Sequence, residues 1–184
     1  MAAVDTALAP GFFTRMAFPL RKTQKSARRR RGPVDVALED YLGDVVQSGD
    51  RVLQLGASDG VSAAFLDHGA LHHLVAPAES ANVVEAICQL RGCSSSRLRV
   101  FASIGHSAAA GGVDTVWLSK TPSLAVLAAH YRHTISRLRV GGLLFVENID
   151  TEFGKTLFKQ LTRDLDWAND DIIANEIAVF RRLA

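Results

Sequence analysis

The residues with the clearest chemical meaning form a glycine turn after a short apolar segment. Gly56-Ala57-Ser58-Asp59-Gly60 follows the segment Arg51 to Leu55, which has the composition of a strand, and precedes a helix that begins near Val61. Glycines at such a turn let the backbone approach a ligand closely at the carboxyl ends of the strands of an open α/β sheet. This arrangement is typical of a site that holds an adenosyl or dinucleotide cofactor.

The dinucleotide fingerprint of nicotinamide enzymes fits this turn poorly. It requires glycines at positions 56, 58 and 61, but serine occupies the second of these positions and valine the third. The sequence therefore argues against a nicotinamide cofactor and favours an adenosyl group.

Alternating strands and helices surround the turn. Further strands are predicted at residues 71–76, 98–102, 113–118, 143–147 and 176–181, and helices near 36–46, 79–90, 121–138 and 154–162. Strands separated by helices favour right-handed crossovers and a mainly parallel sheet. The predicted fold class is therefore α/β, with a doubly wound, mainly parallel sheet.

Length and composition indicate one domain with an appendage. The chain has 184 residues, 48% of them hydrophobic and 22% charged, which is ordinary for a soluble globular protein. It has no run of about 18 apolar residues that could cross a bilayer. Cys88 and Cys93 are the only cysteines and match neither a disulfide framework nor a two-plus-two zinc site, which favours a reducing, cytoplasmic compartment.

The first 33 residues differ from the rest in charge. They carry eight basic side chains and one aspartate, and include the run Arg28, Arg29, Arg30 and Arg31. Because such a run repels itself, we expect residues 1–33 to form a flexible basic arm or lid beside a domain at residues 34–184. Two alternatives stay open: the arginines bind phosphates of nucleic acid or an anionic lipid surface, or this segment is an organelle presequence.

Several segments resemble the class I S-adenosylmethionine-dependent methyltransferases. They are residues 52–60 with the glycine turn, residues 113–118, and residues 138–148 with the double glycine. Residues 176–182 are similar to that family's antiparallel last strand. The resemblance implies a Rossmann-like methyltransferase fold, S-adenosylmethionine as cofactor, and methyl transfer to an acceptor, which we expect to be a small molecule.

The resemblance also implies site residues. Those on the cofactor side are Gln54, Gly56, Ala57, Ser58, Gly60, Glu79 and Ser119. Family members usually have an acidic residue where Gln54 stands, and another after the second strand that accepts hydrogen bonds from the ribose hydroxyls, for which Glu79 is the candidate. Substrate-facing polar groups are expected after the fifth strand, at Glu147, Asn148 and Asp150.

The resemblance does not imply a metal site. The catechol-type branch binds a divalent ion through an aspartate after the fourth strand and an Asp-Asn pair after the fifth, whereas Ser119 replaces the aspartate here. Methyl transfer depends mainly on orientation and a dry site, so no general base is assigned. Since Gln54 and Ser119 depart from the family pattern, a second hypothesis stays open: a non-catalytic binding or scaffold domain whose basic arm contacts an acidic partner.

Overall fold

Alternating strands and helices make up the part of the chain that the computed structural model describes, which is residues 33–58, 60–103, 112–119 and 134–184. The helices are α1 Pro33–Val45, α2 Val61–Asp67, α3 Ala78–Arg91 and α4 Glu152–Arg163, with a 3-10 turn at Ser95–Arg97. The strands are β1 Arg51–Leu55, β2 Leu71–Val75, β3 Leu98–Phe101, β4 Val113–Leu118, β5 Leu138–Glu147, β6 Trp167–Ile173 and β7 Ile177–Arg182. Residues 1–32 of the predicted basic arm and most of the helix predicted at 121–138 lie outside the described residues, whereas Pro33, the last residue of that predicted arm, begins α1.

One sheet of seven strands has the order β3-β2-β1-β4-β5-β7-β6. β1 to β5 pair in parallel, whereas β7 runs antiparallel to both β5 and β6. The predicted mainly parallel sheet with an antiparallel last strand is therefore confirmed. The strand order reverses between β1 and β4, and in open α/β sheets ligands bind at such a switch point, outside the carboxyl ends of the strands.

Apolar side chains cover both faces of the sheet. On one face, Phe65 of α2 makes edge contacts with Trp117 at 5.7 Å and Phe145 at 6.1 Å, measured between ring centroids, and Trp117 stacks on Phe145 at 4.9 Å. On the other face, α4 buries Leu157 and Leu161 against the apolar side chains of β4, β5 and β7. None of the described helices has the length and apolar character that a bilayer span requires.

The double glycine lies inside β5 and does not end a helix. The sequence predicts that the preceding helix reaches Leu138 and that the strand begins at Leu143, but β5 already pairs with β4 at Leu138. The register shifts between that pair and the regular ladder, which resumes at Leu143. Gly141 has a φ of 80°, and a Cβ on Gly142 would lie 2.8 Å from the carbonyl oxygen of Asp114. The glycines therefore permit a bulge within the strand.

β6 is a strand that the sequence analysis does not predict. Its central residues, Asn169, Asp170 and Asp171, are types that are depleted in strands. They are tolerated because β6 lies at the edge of the sheet, where charged side chains also discourage pairing with another chain.

Candidate functional site

The glycine turn connects β1 to α2 at the carboxyl end of the parallel strands. Gly56 and Gly60 have φ values of 82° and 83°, a conformation that residues with a Cβ rarely adopt. The Gly56 amide donates to the carbonyl oxygen of Val75 at 2.9 Å, and the Ser119 amide donates to that of Leu55 at 3.0 Å. These backbone contacts hold the turn between the ends of β2 and β4.

A buried network of hydrogen bonds supports the turn. The Nε2 group of Gln54 donates to the carbonyl oxygen of Gly56 at 2.9 Å and to the Ser119 hydroxyl at 3.1 Å. Its Oε1 atom accepts from the Ser62 hydroxyl at 2.8 Å and lies 2.8 Å from Nε2 of His72. The four side chains are at most 2% exposed. The amide of Gln54 therefore uses all of its donor and acceptor positions inside the protein.

His72 is neutral in this network. Since Oε1 of Gln54 can only accept, His72 must donate from Nε2, and in the neutral ring Nδ1 then carries no proton. Burial and, to a smaller extent, the neighbouring His73 together lower the pKa of His72 to about 3. The ring packs 5.6 Å from that of Phe65. The whole network around the amide is consequently uncharged.

The network explains an amide at the position where methyltransferases of the kind that the sequence resembles usually have an acidic residue. A carboxylate has no N–H group to donate to the carbonyl oxygen of Gly56 and the hydroxyl of Ser119. A buried charge without a counter-ion would also be costly. Gln54 and Ser119, both predicted on the cofactor side, thus support the turn from inside the protein.

A carboxylate at the end of β5 contacts the glycine turn. The Oε1 atom of Glu147 accepts from the Ser58 hydroxyl at 2.6 Å and from the indole Nε1 of Trp117 at 3.0 Å. Trp117 is fully buried, whereas Ser58 and Glu147 are half-buried. The two contacts connect the turn after β1 to the end of β5 across β4, so two residues predicted on different sides of the site meet in one hydrogen bond.

The remaining predicted residues lie near the same carboxyl ends of the strands. Glu79 is exposed in the first turn of α3, just after β2, and Ala57 packs against the apolar cluster between α2 and α3. Asn148 has a φ of 55°, and its carbonyl oxygen accepts from the hydroxyl of Thr151 at 2.8 Å, in the turn that leads into α4. Asp150 is exposed in that turn.

The sequence analysis assigns no site role to Ser62, His72 or Trp117. The sequence did contain a signal for two of these residues, Ser62 and His72, which is their polar character. Ser62 stands in a helix segment that is otherwise apolar up to Leu66, and His72 lies in a short strand whose other residues, apart from His73, are apolar. A polar residue inside an apolar element predicts a buried partner, but the sequence does not name the partner.

The carboxylates of Glu79 and Glu147 lie at the carboxyl edge of the sheet. Within the described ranges, no group of three or more His, Cys, Asp or Glu side chains is placed to hold a metal ion. A carboxylate can accept hydrogen bonds from hydroxyl or ammonium groups. An adenosyl cofactor with an amino-acid end carries both kinds of donor. The residues present fit such a group.

No protein-family model matches the sequence, and no curated protein matches it. Solved structures do match the fold. An rRNA methylase from Streptococcus thermophilus superposes with a TM-score of 0.61 at 13% identity, over 84% of this chain and 99% of that chain. The T. Thermophilus 16S rRNA N2 G1207 methyltransferase, solved with AdoMet and guanosine, has a TM-score of 0.61 at 18% identity, over 86% of this chain and 45% of that chain.

A third similar structure acts on a different kind of molecule. The precorrin-6y C5,15-methyltransferase from Geobacter metallireducens has a TM-score of 0.59 at 10% identity, over 80% of this chain and 87% of that chain. At these identities the comparison establishes the fold. The chain has the Rossmann-like fold of these methyltransferases, with the antiparallel β7 inserted between β5 and β6.

Proposed function

We propose that this protein is an S-adenosylmethionine-dependent methyltransferase. The observation that carries the proposal is the left-handed glycine turn at the point where the strand order reverses, with the carboxylate of Glu147 bonded to its Ser58. This is the position where open α/β sheets bind ligands. The fold shared with methyltransferases of known structure supports the same function.

The proposed cofactor site divides into contact residues and supporting residues. Contact with the methionine and ribose side is assigned to Gly56, Ala57, Ser58 and Gly60. Glu79 accepts hydrogen bonds from the ribose hydroxyls, since its exposed carboxylate follows directly after β2. Gln54 and Ser119 keep the Gly56 carbonyl in place and make no contact of their own.

The bound cofactor supplies an electrophilic methyl group on a sulfonium, which the acceptor nucleophile attacks in line. The protein's part is to orient the two reactants and to exclude water, which can account for a large share of the rate. Asn148 and Asp150 lie after β5, on the side where the acceptor is proposed to approach.

The acceptor of the methyl group is either a small molecule or a nucleic acid. The similar structures include enzymes for rRNA and for a precorrin, so the fold favours neither class. The small-molecule acceptor remains the prediction from sequence, with nucleic acid as the alternative through Arg28 to Arg31. A cytoplasmic location and the organelle-targeting alternative likewise remain predictions.

Thermal unfolding with and without saturating S-adenosylhomocysteine tests the cofactor site. A ligand that binds only the folded state raises the midpoint, and we expect a shift of several degrees for the wild-type chain. Gly56→Arg should abolish the shift because it fills the turn. Gly49→Arg is the matched control, since Gly49 also has a positive φ, of 93°, but lies before β1 at the opposite end of the sheet.

Each result of this experiment has a defined meaning. A shift in the wild-type chain and in Gly49→Arg but not in Gly56→Arg supports the cofactor site. Absence of a shift in the wild-type chain contradicts it and favours the scaffold hypothesis. If the site is supported, a methyl-labelled cofactor offered with total RNA and with a low-molecular-mass cell extract identifies which acceptor class takes the label.

A further inference from the structure

A cleft opens at the amino end of the sheet, at the opposite edge from the glycine turn. It has a volume of about 260 Å³ and lies between the end of α1 and the strands β4, β5 and β7. Its lining includes the apolar side chains of Val45 and Leu143 and the side chain of Thr115, which carries a hydroxyl. Because pockets for drug-sized molecules measure roughly 300–1,000 Å³, this cleft fits a smaller molecule.

The glycine bulge of β5 forms one wall of the cleft. Gly141 lines the cleft with a φ of 80°, and its carbonyl oxygen accepts from Nη1 of Arg181 at 3.2 Å. Bulges re-aim the residues around them and are over-represented at sheet edges and next to active sites. The cleft therefore results from a specific irregularity of the strand and is not a gap between regular elements.

A buried hydroxyl in the cleft has no partner among the described residues. Thr115 is 3% exposed, and in the part of the chain that the structure describes no group forms a hydrogen bond with its side chain. Since side chains alternate along a strand, Thr115 lies on the same face of β4 as Trp117, which is the face that α1 covers. Buried polar groups are normally hydrogen-bonded, so this hydroxyl points to an occupant of the cleft as its partner.

Two arginines at the rim of the cleft already have counter-ions. Nε of Arg139 lies 2.8 Å from Asp114, and Nε of Arg181 lies 2.9 Å from Asp170. Each of these pairs is neutral as a whole. The arginines therefore add little net charge to the cleft.

Two further carboxylates line the cleft, those of Asp44 and Asp50. Neither is paired with a cation within the described ranges. Asp44 is exposed at the end of α1, and Oδ2 of Asp50 accepts from the backbone amide of Gln47 at 2.8 Å, which is a neutral donor. The cleft thus has a net negative charge, which attracts cations and disfavours anions.

We propose that this cleft binds a small organic ammonium ion. An ammonium group has three N–H donors and no acceptor, so it donates to Asp44, Asp50 and the hydroxyl oxygen of Thr115. The carbon chain of the ligand packs on Val45 and Leu143. A metal ion fits less well, because no group of three or more His, Cys, Asp or Glu among the described residues is placed to hold one. The site does not depend on the proposed function, which uses the opposite edge of the sheet.

Thermal unfolding with matched probes tests the site. 1,4-Diaminobutane and n-butylamine are ammonium ions at neutral pH, whereas 1,4-butanediol has a similar carbon chain without charge. We expect at least one of the amines at about 10 mM to raise the unfolding midpoint by about 2 °C or more, and the diol to leave it within about 0.5 °C.

Titration calorimetry of two variants with the same amine locates the site. Thr115→Val keeps the shape of the side chain and removes a hydroxyl that has no described partner, so the unfolding midpoint without ligand should not fall. Its affinity for the amine should nevertheless fall about fivefold or more, as for a lost hydrogen bond to a charged group. Asp44→Asn should weaken binding about threefold or more, because it removes an exposed counter-ion. Asp40→Asn, at an exposed carboxylate one turn earlier on α1 and outside the cleft, is the matched control and should bind like the wild-type chain.

Three results would overturn the proposal. Absence of a shift with both amines would mean that the cleft holds no ammonium ion, and an equal shift with the diol would mean that charge does not matter. Unchanged affinity in both Thr115→Val and Asp44→Asn would place the amine elsewhere on the surface. The response should persist in Gly56→Arg, which blocks only the glycine turn, so a failure at one edge of the sheet is distinguishable from a failure at the other.

Discussion

At the carboxyl end of the sheet, the polar side chains around Gln54 are buried and uncharged, whereas at the amino end they are half-exposed and paired as ions. The first group, with Ser62, His72 and Ser119, is at most 2% exposed. In the second group, Arg139 and Asp114 lie 2.8 Å apart with side chains 60% and 18% exposed. The same sheet therefore accommodates polar groups by two different physical means.

A second ion pair at the amino end shows the same character. Arg181 donates from two nitrogens to Asp170, at 2.9 and 3.0 Å, and the hydroxyl of Tyr41 donates to Asp170 at 2.7 Å. Arg181 holds the pKa of Asp170 below its usual range, while burial and the nearby carboxylate raise the pKa of Tyr41. Arg181 lines a cleft of about 260 Å³ together with Asp114 and Arg139.

Access to water accounts for the difference. Where water is excluded, an ion is expensive, so the polar groups there are neutral and bond to one another, with Nδ1 of His72 the buried atom of the network that has no partner. Where water reaches the side chains, ions are solvated and their pairing contributes little. The comparison predicts that removing one buried neutral side chain lowers the free energy of unfolding more than removing one exposed ion does.

The largest effect is expected at Gln54. Gln54→Leu keeps a similar volume but leaves the Ser62 hydroxyl, the His72 N–H and the Gly56 carbonyl oxygen without partners, so the free energy of unfolding should fall by about 2–4 kcal/mol. Urea denaturation measures it. Gln160→Leu, on the exposed face of α4, is the control and should change stability by less than about 0.5 kcal/mol. Equal effects of the two substitutions would contradict the role of burial.

The next effect is a loss of stability in mild acid. His72 has a folded-state pKa of about 3, below the unfolded value of about 6.5. The neutral ring therefore stabilises the folded state fully above pH 6.5, and this stabilisation decreases as the pH is lowered. We expect the wild-type chain to lose about 2 kcal/mol more between pH 8 and pH 5 than His72→Gln, whose amide still donates to Gln54 but does not titrate. Parallel stability curves would show that His72 is not buried in its neutral form.

A smaller effect is expected at Asp170. Asp170→Asn should cost about 1 kcal/mol at pH 7, because the ion pair is partly exposed. The pKa of Asp170 is lowered in the folded state, so its stabilising effect is present above the unfolded value of about 3.9 and is lost as the pH falls. The difference between wild type and variant should shrink from pH 5 to pH 3. Asp171→Asn, at the neighbouring exposed carboxylate, is the control and should change the free energy of unfolding at pH 7 by less than about 0.5 kcal/mol.

The smallest effect is expected at Arg139. Since its side chain is 60% exposed, Arg139→Gln should lower the free energy of unfolding by less than about 0.5 kcal/mol, and the loss should vanish at about 1 M salt. Chemical denaturation at low and high salt checks this. A loss above about 1.5 kcal/mol that persists in salt would remove the contrast between the two ends of the sheet.

Much of the fold could be predicted because its signals are local. β1 and β4 have the predicted bounds, and α3 differs from the predicted helix by one residue at each end. Buried parallel strands are continuous apolar runs in the sequence, and the glycine turn at Gly56 marks the end of the run that forms β1. β6 gave no such signal, because an edge strand buries few of its residues. The bulge at Gly141 was hidden for a related reason, since a double glycine is equally compatible with a helix end and a strand bulge.

The candidate site was predictable only in part. Residues at the ends of the strands could be named because parallel strands bring their carboxyl ends to one edge, and Ser58 and Glu147 do meet there. Their partners could not be named. His72 and Ser62 bond to Gln54 through register and helix packing, which the sequence patterns do not encode.

The sequence by itself determined most of the strands, the glycine turn and the set of polar residues near it, because each depends on neighbours a few positions away. Only the tertiary structure decided which polar groups are buried and which face water. Gln54 bonds to Ser119 across 65 positions of the chain, and Ser58 bonds to Glu147 across 89. Contacts over such distances exist only after the strands have paired, and the burial that makes a neutral amide preferable to an acid exists only then.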